Sequence, residues 1–356
     1  MSSLDHLGWH SFFQNQIAGD RTLRMARVVE DQRGLCRVAG EFEGWAEVSG
    51  RFRHEARSAA DYPTAGDWVG VAAPTGADRA LIVQRLERRS TLSRKAAGRA
   101  VDEQVVAANV DIVFLVNSLE HEVSANRIER YLTMVWEAGA VPVVLLNKAD
   151  LCAEPSAQVE AVRRRLPFVN VVAASALIGD GLDELTPYLK PAHTVALVGS
   201  SGAGKSSLIN RLLGQDALSV GAVRDGDGKG RHTTTSRQLV AIPGGALLID
   251  TPGMRELQPW VDEAAIDRTF GDVAELARAC RFADCAHGGE PGCAVLDAVA
   301  SGTLDTGRLE HYRRLLREAA FEERKRDKAA AAEHNRKWKQ LHQAQKELYR
   351  KREKPC

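Results

Sequence analysis

A glycine-rich stretch that runs into a lysine and two serines is the part of this chain best suited to bind phosphate. Residues 199–206 read GSSGAGKS and match the pattern G-x-x-x-x-G-K-[ST] at every fixed position. In such a loop, backbone N–H groups and the amino end of the following helix bind phosphate oxygens. Lys205 is expected to reach the outer phosphates, and the Ser206 hydroxyl to ligate Mg²⁺. The residues predicted to bind the phosphates are Gly199, Ser200, Ser201, Gly202, Ala203, Gly204, Lys205, Ser206 and Ser207.

A second motif, Asn147, Lys148, Ala149 and Asp150, is suited to recognising guanine. It follows the apolar run 141–146, and Asn-Lys-x-Asp at the end of a parallel strand selects guanine in many GTPases. The Asp150 carboxylate can accept hydrogen bonds from N1–H and the exocyclic amine of guanine. Adenine offers neither donor and would leave the carboxylate unpaired, which is costly. Lys148 can lay its alkyl stem along the base. The segment after the next strand resembles the Ser-Ala-x element, which donates a main-chain N–H to guanine.

The element Asp250-Thr251-Pro252-Gly253 is of the Asp-x-x-Gly type. Asp250 would hold Mg²⁺ through water, and the Gly253 N–H would donate a hydrogen bond to the γ-phosphate. Met254 follows, in the place where many GTPases carry a glutamine that orients the attacking water. Methionine cannot orient water, so hydrolysis must use another group of this chain or a group that a partner supplies.

A glycine-rich segment, residues 225–231, leads into a histidine and three threonines and is interpreted as a switch loop. Thr234 is predicted to complete the Mg²⁺ coordination when the γ-phosphate is present, although the sequence does not separate it from its threonine neighbours. His232 could orient the water or accept its proton; the competing interpretation is a surface histidine. The predicted catalytic residues are therefore His232, Lys205 and Thr234.

Three cysteines and a histidine lie within fourteen residues near the C-terminus and indicate a zinc site. They are Cys280, Cys285, His287 and Cys293, and the intervening glycines and proline allow the chain to wrap round an ion. Zinc in structural sites takes four such ligands in a tetrahedron. The spacing is not that of the commonest zinc fingers. The alternative is three reduced cysteines packed as small apolar residues beside an unrelated histidine.

These motifs need an α/β scaffold to bring them together. The apolar runs 110–116, 141–146 and 194–198 are typical of buried parallel strands, and residues 127–138 have helical spacing. The guanine motif precedes the phosphate loop, whereas the usual order places the phosphate loop first. The strands of a sheet need to be adjacent in space but need not be adjacent in sequence. A circular permutation of the chain therefore leaves the nucleotide site intact. The sequence therefore predicts a circularly permuted P-loop GTPase domain.

The N-terminal part is predicted to form a small β-barrel of the OB type, a fold often used on nucleic acid. Its five short strands are expected at residues 25–29, 35–38, 45–48, 68–72 and 80–83. Arg51, Arg53 and Arg57 share one connection, which indicates either a loop that faces RNA or a solvated loop.

The predicted chain is a multidomain α/β protein with three domains. Residues 1–92 form the OB-fold RNA-binding domain, 93–255 the circularly permuted GTPase domain, and 256–356 a helical zinc-binding domain with a basic C-terminal helix. The polar, basic stretch 90–99 between the first two domains is interpreted as a linker.

Composition and charge indicate a globular protein that binds a polyanionic partner. With 356 residues, 44% hydrophobic and 27% charged, the chain has the composition of an ordinary soluble protein. It shows no membrane-span run and no secretory signal, so we expect a cytoplasmic location, reduced cysteines and no membrane partner. Residues 308–356 hold 16 Lys+Arg and 8 Asp+Glu, whereas the remainder is acidic. The positive charge of residues 308–356 indicates a helix that contacts RNA rather than one that is only solvated.

The permuted order, the basic linker and the Cys-Cys-His-Cys element together resemble the ribosome small-subunit-dependent GTPase family (RsgA, also called YjeQ). The resemblance spans about residues 20–320 and includes 66–69, 103–111, 230–235 and 250–256. It implies an OB-fold, a permuted GTPase and a domain whose four cluster residues bind one zinc. It also implies a checkpoint role late in small-subunit maturation, with hydrolysis accelerated by the subunit. The expected partners are the small ribosomal subunit with its rRNA and GTP or GDP, and we expect a monomer.

Two other functions compete with this one. Met254 motivates a non-catalytic, guanine-nucleotide-binding scaffold for RNA assembly, in which the nucleotide is only structural. A small-molecule kinase would use the same phosphate loop. The guanine motif and the absence of a recognisable acceptor pocket count against the kinase.

Overall fold

The computed structural model describes residues 3–17, 23–32, 34–72, 79–95, 103–214, 237–250, 263–321 and 323–324. The strands are β1 (Arg24–Gln32), β2 (Leu35–Gly40), β3 (Gly44–Val48), β4 (Trp68–Ala72), β5 (Ala80–Arg85), β6 (Thr91–Lys95), β7 (Glu103–Ala108), β8 (Ile112–Ser118), β9 (Val141–Asn147), β10 (Asn170–Ala173), β11 (Thr194–Gly199), β12 (Arg237–Ala241) and β13 (Leu247–Asp250). The helices are α1 (Ser11–Gln14), α2 (Gly50–Glu55), α3 (Ala125–Glu137), α4 (Pro155–Arg165), α5 (Lys205–Leu213), α6 (Glu263–Thr269), α7 (Gly271–Ala277), α8 (Ala294–Ala300) and α9 (306–321). Within these ranges, no helix is long and apolar enough to cross a bilayer.

The first five strands close into a barrel. Their order is β1-β2-β3-β5-β4, and β4 pairs back onto β1. Successive residues of a strand face opposite sides, so every second side chain enters the barrel core. Val28, Val38, Val69 and Ile82 are fully buried there. The parallel β3–β5 pair and the α2 helix between β3 and β4 complete the OB-like barrel, which confirms the prediction from sequence.

The central sheet has the order β10-β9-β8-β11-β13-β12 and is parallel except for β12 at its edge. Strands β8, β9 and β11 are buried on both faces, which is why the sequence shows continuous apolar runs there. Val113 and Leu115 of β8 pack in the core beneath α3 and α4, whereas Phe114 and Val116 pack in the core that includes α5. The predicted parallel α/β domain is confirmed.

The barrel and the central sheet are continuous through one pair of strands. The end of β1 pairs antiparallel with β12, which aligns Asp31 with Arg237. The Arg237 Nη1 atom donates to Thr64 Oγ1 at 3.2 Å and to the Val105 carbonyl at 3.0 Å. The strand pair and the contact with Thr64 attach the edge of the GTPase sheet to the barrel, and the contact with Val105 ties β12 to β7.

The linker prediction for residues 90–99 is wrong over most of the described stretch. Residues 91–95 form β6, which pairs antiparallel with β7, and Leu92 is buried in the core of the central domain. Arg94 donates to the Gln104 side chain across the two strands at 3.1 Å. The partner strand lies about ten residues further along the chain, so the polar composition of residues 90–99 alone did not reveal the pairing.

Helices α6 to α9 form a separate small core that includes Ile266, Phe270, Val295 and Leu315. The described part of the predicted long C-terminal helix, residues 306–321 and 323–324, is helical, and the rest of that prediction lies outside the described residues. The domain boundaries predicted at 92 and 255 stay predictions.

Candidate functional site

The phosphate loop connects β11 to α5 at the carboxyl edge of the central sheet, as the sequence predicts. A side chain at Gly199 would place its Cβ 2.1 Å from the Val116 carbonyl oxygen of the adjacent strand, so only glycine fits. A Cβ at Gly204 would lie 2.2 Å from Asn147 Nδ2. A Cβ at Gly202 would have nothing within 4 Å, which shows that this side of the loop is open. The loop therefore packs closely against β8 and the guanine motif and leaves open space beside Gly202.

The helix that follows the loop is suited to receive an anion. No side chain caps the amino end of α5, because its N-cap residue is Gly204. Uncapped N–H groups at a helix start attract phosphate oxygens. Lys205 Nζ donates to the carbonyls of Gly199 and Ser200, both at 2.6 Å, which holds the ammonium group against the loop backbone. Ser206 is exposed in the first helical turn.

The guanine motif lies at the end of β9, on the same edge of the sheet. Asn147 is buried and joins two segments: its Nδ2 donates to the Ala203 carbonyl at 2.8 Å, and its Oδ1 accepts from the Ala176 N–H at 3.0 Å. The phosphate loop and residues 175–176 are thereby fixed to the same side chain. Lys148 takes a left-handed backbone conformation, with φ 63°, which turns the chain toward Asp150.

Two polar residues support this motif and were missed or given little weight in the sequence analysis. The Ser175 hydroxyl donates to Asp150 Oδ1 at 2.5 Å, and Glu120 forms an ion pair with Lys148 at 2.5 Å. Ser175 belongs to the Ser-Ala-x resemblance, which was the available indication. Glu120 stands in the turn after β8, and no local pattern marks it.

The structure places part of the switch elements only. Asp250 ends β13, which is adjacent to β11 in the sheet, so its backbone lies at the same edge as the phosphate loop. Gly253, Met254, His232 and Thr234 lie outside the described residues. The roles of these residues stay predictions.

The four predicted zinc ligands come together. The ligand atoms of Cys280, Cys285, His287 and Cys293 lie within 4.8 Å of one another. Cys280 Sγ is 3.8 Å from Cys293 Sγ, and His287 Nδ1 is 3.6 Å and 3.4 Å from these two sulfurs. Zn–S bonds of ~2.3 Å and Zn–N bonds of ~2.1 Å in a tetrahedron require about 3.8 Å and 3.6 Å for these separations. The donor set and its spacing therefore fit one zinc ion.

A carboxylate that was not singled out shapes the zinc loop. Glu290 accepts hydrogen bonds from the backbone N–H groups of Ala286 at 3.1 Å, Gly288 at 2.5 Å and Gly289 at 3.0 Å. Backbone hydrogen bonds hold the pKa of Glu290 below its ordinary value. These bonds fold residues 286–290 into a tight turn, in which His287 has a left-handed φ of 56°. His287 and Cys293 are both buried.

Comparison with known proteins agrees with this geometry. Residues 85–260 match the family described as RsgA GTPase. A protein of Opitutus terrae named small ribosomal subunit biogenesis GTPase RsgA is 45% identical over 97% of this chain and 97% of its own length. A protein of the same name from Syntrophotalea carbinolica is 40% identical over 95% of this chain and 96% of its own.

Solved structures are similar as well. The crystal structure of YjeQ from Thermotoga maritima has a TM-score of 0.61 and 27% identity, and the match covers 84% of this chain and 99% of that one. The structure of YloQ, described as a circularly permuted GTPase, has a TM-score of 0.62 over 86% of this chain and 98% of that one. At 23% identity, the second match shows a likeness of fold alone. The permuted motif order, the barrel, the cysteine cluster and these similarities together lead to one conclusion: this chain belongs to the RsgA GTPase family.

Proposed function

We propose that this protein is a Mg²⁺-dependent enzyme that hydrolyses GTP to GDP and phosphate on the small ribosomal subunit, as a checkpoint late in its maturation. The observation that carries the proposal is the position of Asn147, whose amide binds the phosphate loop and the base-recognition segment together. A nucleotide that contacts both must present phosphates and a base at a fixed separation. The names of the relatives, small ribosomal subunit biogenesis GTPases, support the choice of partner.

Base selection follows from the groups around Asp150. Ser175 donates to one carboxylate oxygen, which orients the carboxylate. The carboxylate can then accept hydrogen bonds from N1–H and the 2-amino group of guanine. The segment after Ala176, whose own N–H donates to Asn147 Oδ1, would supply a main-chain N–H to the other edge of the base. Adenine would leave the carboxylate without donors, which costs about 1–3 kcal/mol or more for a charged group.

Phosphate binding would use the loop and its lysine. The open side of the loop at Gly202 and the uncapped start of α5 offer N–H groups to the β- and γ-phosphates. The Lys205 ammonium group would exchange its two carbonyl partners for phosphate oxygens and so stabilise the negative charge of the transition state. Mg²⁺ bound with the nucleotide would neutralise further charge on these phosphates. Ser206, exposed in the first turn of α5, is suited to ligate it, with Thr234 as the other proposed ligand and Asp250 holding it through water.

The attacking water needs a group that Met254 cannot provide. We assign that task to His232 or to a group supplied by the small subunit. A group that the subunit supplies, or a His232 that the subunit positions, makes hydrolysis slow in the free protein and faster on the subunit. The alternative, a guanine-nucleotide-binding scaffold without catalysis, has the same binding residues and differs only in this step. We further propose that the barrel and the basic C-terminal segment contact rRNA, and that the protein acts as a cytoplasmic monomer.

The experiment that tests this function is steady-state GTP hydrolysis by the purified chain alone, with small subunits, and with large subunits as the control. We expect small subunits alone to raise the rate strongly, and ATP neither to bind nor to be hydrolysed. Equal slow turnover in all three samples would favour the scaffold. Comparable binding of ATP would contradict the role of Asp150.

A further inference from the structure

A cavity of about 200 Å³ lies at the opposite end of the central sheet from the phosphate loop. It is lined by the N-terminal segment, by β1 of the barrel, and by residues at the amino ends of β8 and β11. Strand β11 separates the two places, and its six residues span about 17 Å. A Cβ on Gly8 would lie 2.8 Å from the Ala192 carbonyl oxygen, which shows how closely the N-terminal segment approaches the sheet here. None of the lining residues belongs to the nucleotide motifs.

A buried arginine without a carboxylate partner lines this cavity. Arg27 is 1% exposed, and its three nitrogens donate to the backbone carbonyls of Leu7, Gly66 and Asn109 at 2.5, 3.1 and 3.1 Å. Among the described residues, no carboxylate forms an ion pair with Arg27; buried Asp67 acts on it electrostatically, but Asp67 forms its own ion pair with Arg88 at 2.7 Å. Burial lowers the pKa of Arg27 to about 9, which still leaves it charged at neutral pH. A guanidinium group has five N–H donors, so three carbonyl bonds do not use them all.

A second pair of groups in the cavity has donors that face each other. In the tautomer in which His10 Nδ1 accepts the hydrogen bond from the Phe12 N–H at 3.3 Å, the neutral ring carries its proton on Nε2. Burial, together with the charges of Arg89 and Arg27, lowers the pKa of His10 and favours this neutral form. His10 Nε2 lies 3.3 Å from Arg89 Nη1, which is only a donor. Two donors in this arrangement can be satisfied together by one acceptor oxygen.

The acidic residue of the cavity does not neutralise these groups. Asp111 is the one carboxylate among the lining residues. Its Oδ1 pairs closely with the Arg89 guanidinium group, and its Oδ2 accepts from the Thr194 N–H at 2.7 Å. Among the lining residues, one carboxylate faces two guanidinium groups, and because Asp111 pairs with Arg89 and Asp67 pairs with Arg88, the unpaired positive charge is that of Arg27. A buried charge is costly unless a counter-charge accompanies it.

We propose that this cavity binds a phosphate-sized oxyanion, either inorganic phosphate or the phosphoryl group of a small metabolite, through Arg27, Arg89 and His10. The cavity is smaller than the ~300–1,000 Å³ of sites for drug-sized ligands, so a whole nucleotide does not fit. Guanidinium groups suit phosphate because their forked donors match two oxygens at once. The lining comes from the N-terminal segment, the barrel and the GTPase sheet, so the bound anion stabilises the junction of all three. This site is independent of whether the protein hydrolyses GTP.

The test measures binding of radiolabelled inorganic phosphate by equilibrium dialysis. The full chain carries Lys205→Ala, which weakens phosphate binding at the nucleotide loop. We expect saturable binding of roughly one phosphate per chain, weakened about tenfold by Arg89→Gln or by His10→Asn, as expected for loss of one charge-assisted hydrogen bond. Asparagine keeps the N-cap function of His10, and both replaced residues lie at the edge of the cavity, so the fold should persist. Arg51→Gln, on the exposed barrel helix α2, is the matched control and should bind as before.

The outcomes separate the possibilities. Failure of the Lys205→Ala chain to bind phosphate saturably would overturn the proposal, as would equal affinities in the parent, Arg89→Gln and His10→Asn chains. A similar loss in Arg51→Gln would indicate non-specific charge attraction and would also overturn it. Competition by ribose 5-phosphate supports the site and identifies a phosphoryl group as the ligand. Saturable phosphate binding without such competition supports the site and identifies free phosphate. The same dialysis on the unsubstituted chain saturated with GDP must reproduce the result.

Discussion

Glu129 on α3 and Arg308 on α9 form an ion pair of 2.8 Å inside the protein, with side chains that are 0% and 3% exposed. Glu129 also accepts a hydrogen bond from Arg165 at 2.9 Å and pairs closely with His311. Arg308 in turn donates twice to Asp272, both at 2.6 Å. The Glu129 carboxylate belongs to a helix that covers the central sheet. It therefore joins the helical C-terminal unit to the rest of the molecule.

We expect Glu129→Gln to destabilise the docking of the C-terminal unit by about 1.5–3 kcal/mol, because it removes the buried negative charge that Arg308 and Arg165 share and leaves Arg308 with Asp272 alone. The measurement is urea unfolding, monitored separately by tryptophan fluorescence and by zinc release. Arg130→Ala is the matched control: Arg130 is the next residue on α3 and pairs with Glu318 of α9 at 3.0 Å, but on the surface. An exposed pair contributes at most about 1 kcal/mol. Equal losses for the two variants would contradict the assignment.

The same residue predicts a pH dependence. Burial raises the pKa of Glu129, but the hydrogen bonds from His311 and Arg165 and the charges of Arg165 and Arg308 outweigh it, so the pKa lies below its ordinary value. The unfolded chain then binds more protons in acid than the folded one, and stability rises with pH. We expect the difference in unfolding free energy between wild type and Glu129→Gln to have its full value above the ordinary glutamate pKa. The difference should decrease as the pH falls below that pKa. A difference that stays constant across this acid range would count against the shifted carboxylate.

Asp150→Asn should exchange the base preference. An asparagine side chain has one acceptor and one donor, whereas the aspartate carboxylate has two acceptors. The amide donor of asparagine can bind a base that has a carbonyl at position 2 instead of an amine. We expect GTP to bind about 100-fold more weakly, which corresponds to ~3 kcal/mol, and xanthosine triphosphate to bind more tightly than to wild type. Competition against a fluorescent nucleotide measures both affinities. If GTP affinity were unchanged in Asp150→Asn, Asp150 would not be the base-recognition group.

Cys285→Ser should remove zinc and unfold the zinc loop while the nucleotide site stays intact. The zinc ligands belong to the core of α6 to α9, whereas the nucleotide site is built on the central sheet. Metal analysis and nucleotide affinity are measured on the same sample. Cys152→Ser is the control, since Cys152 is a free cysteine outside the cluster. Stoichiometric zinc in Cys285→Ser would disprove the ligand assignment.

Arg237→Ala should loosen the junction of barrel and sheet. The substitution removes the hydrogen bonds to Thr64 and to the Val105 carbonyl and the ion pair with the half-buried Asp31, at a cost of about 1–3 kcal/mol. We expect faster amide hydrogen exchange in β1 and β12 with unchanged exchange in β8 and β9. Arg51→Ala, at an exposed site of the barrel, should leave all four strands as in wild type. Unchanged exchange in β1 would show that strand pairing alone holds the junction.

The placement of the 199–206 loop and of Asn147–Asp150, and the proximity of the four predicted zinc ligands, could be predicted from the sequence because each depends on a short run of neighbouring residues. The loop needs glycine where β8 and Asn147 approach, and the motif pattern carries that requirement. The buried strands could be predicted for a similar reason: a parallel sheet covered on both faces leaves a continuous apolar run in the chain.

Residues whose roles depend on distant partners could not be found in this way. Glu120 lies 28 positions from the Lys148 with which it pairs, and Glu129 lies 179 positions from Arg308. In sequence, Arg27, Glu129 and Arg308 look like ordinary solvated charges, and residues 91–95 look like a linker. Burial and strand pairing are properties of the packed chain, because they depend on which surfaces meet. The sequence by itself thus determined the chemistry of the local motifs, and only the tertiary structure decided which charges are buried and what they hold together.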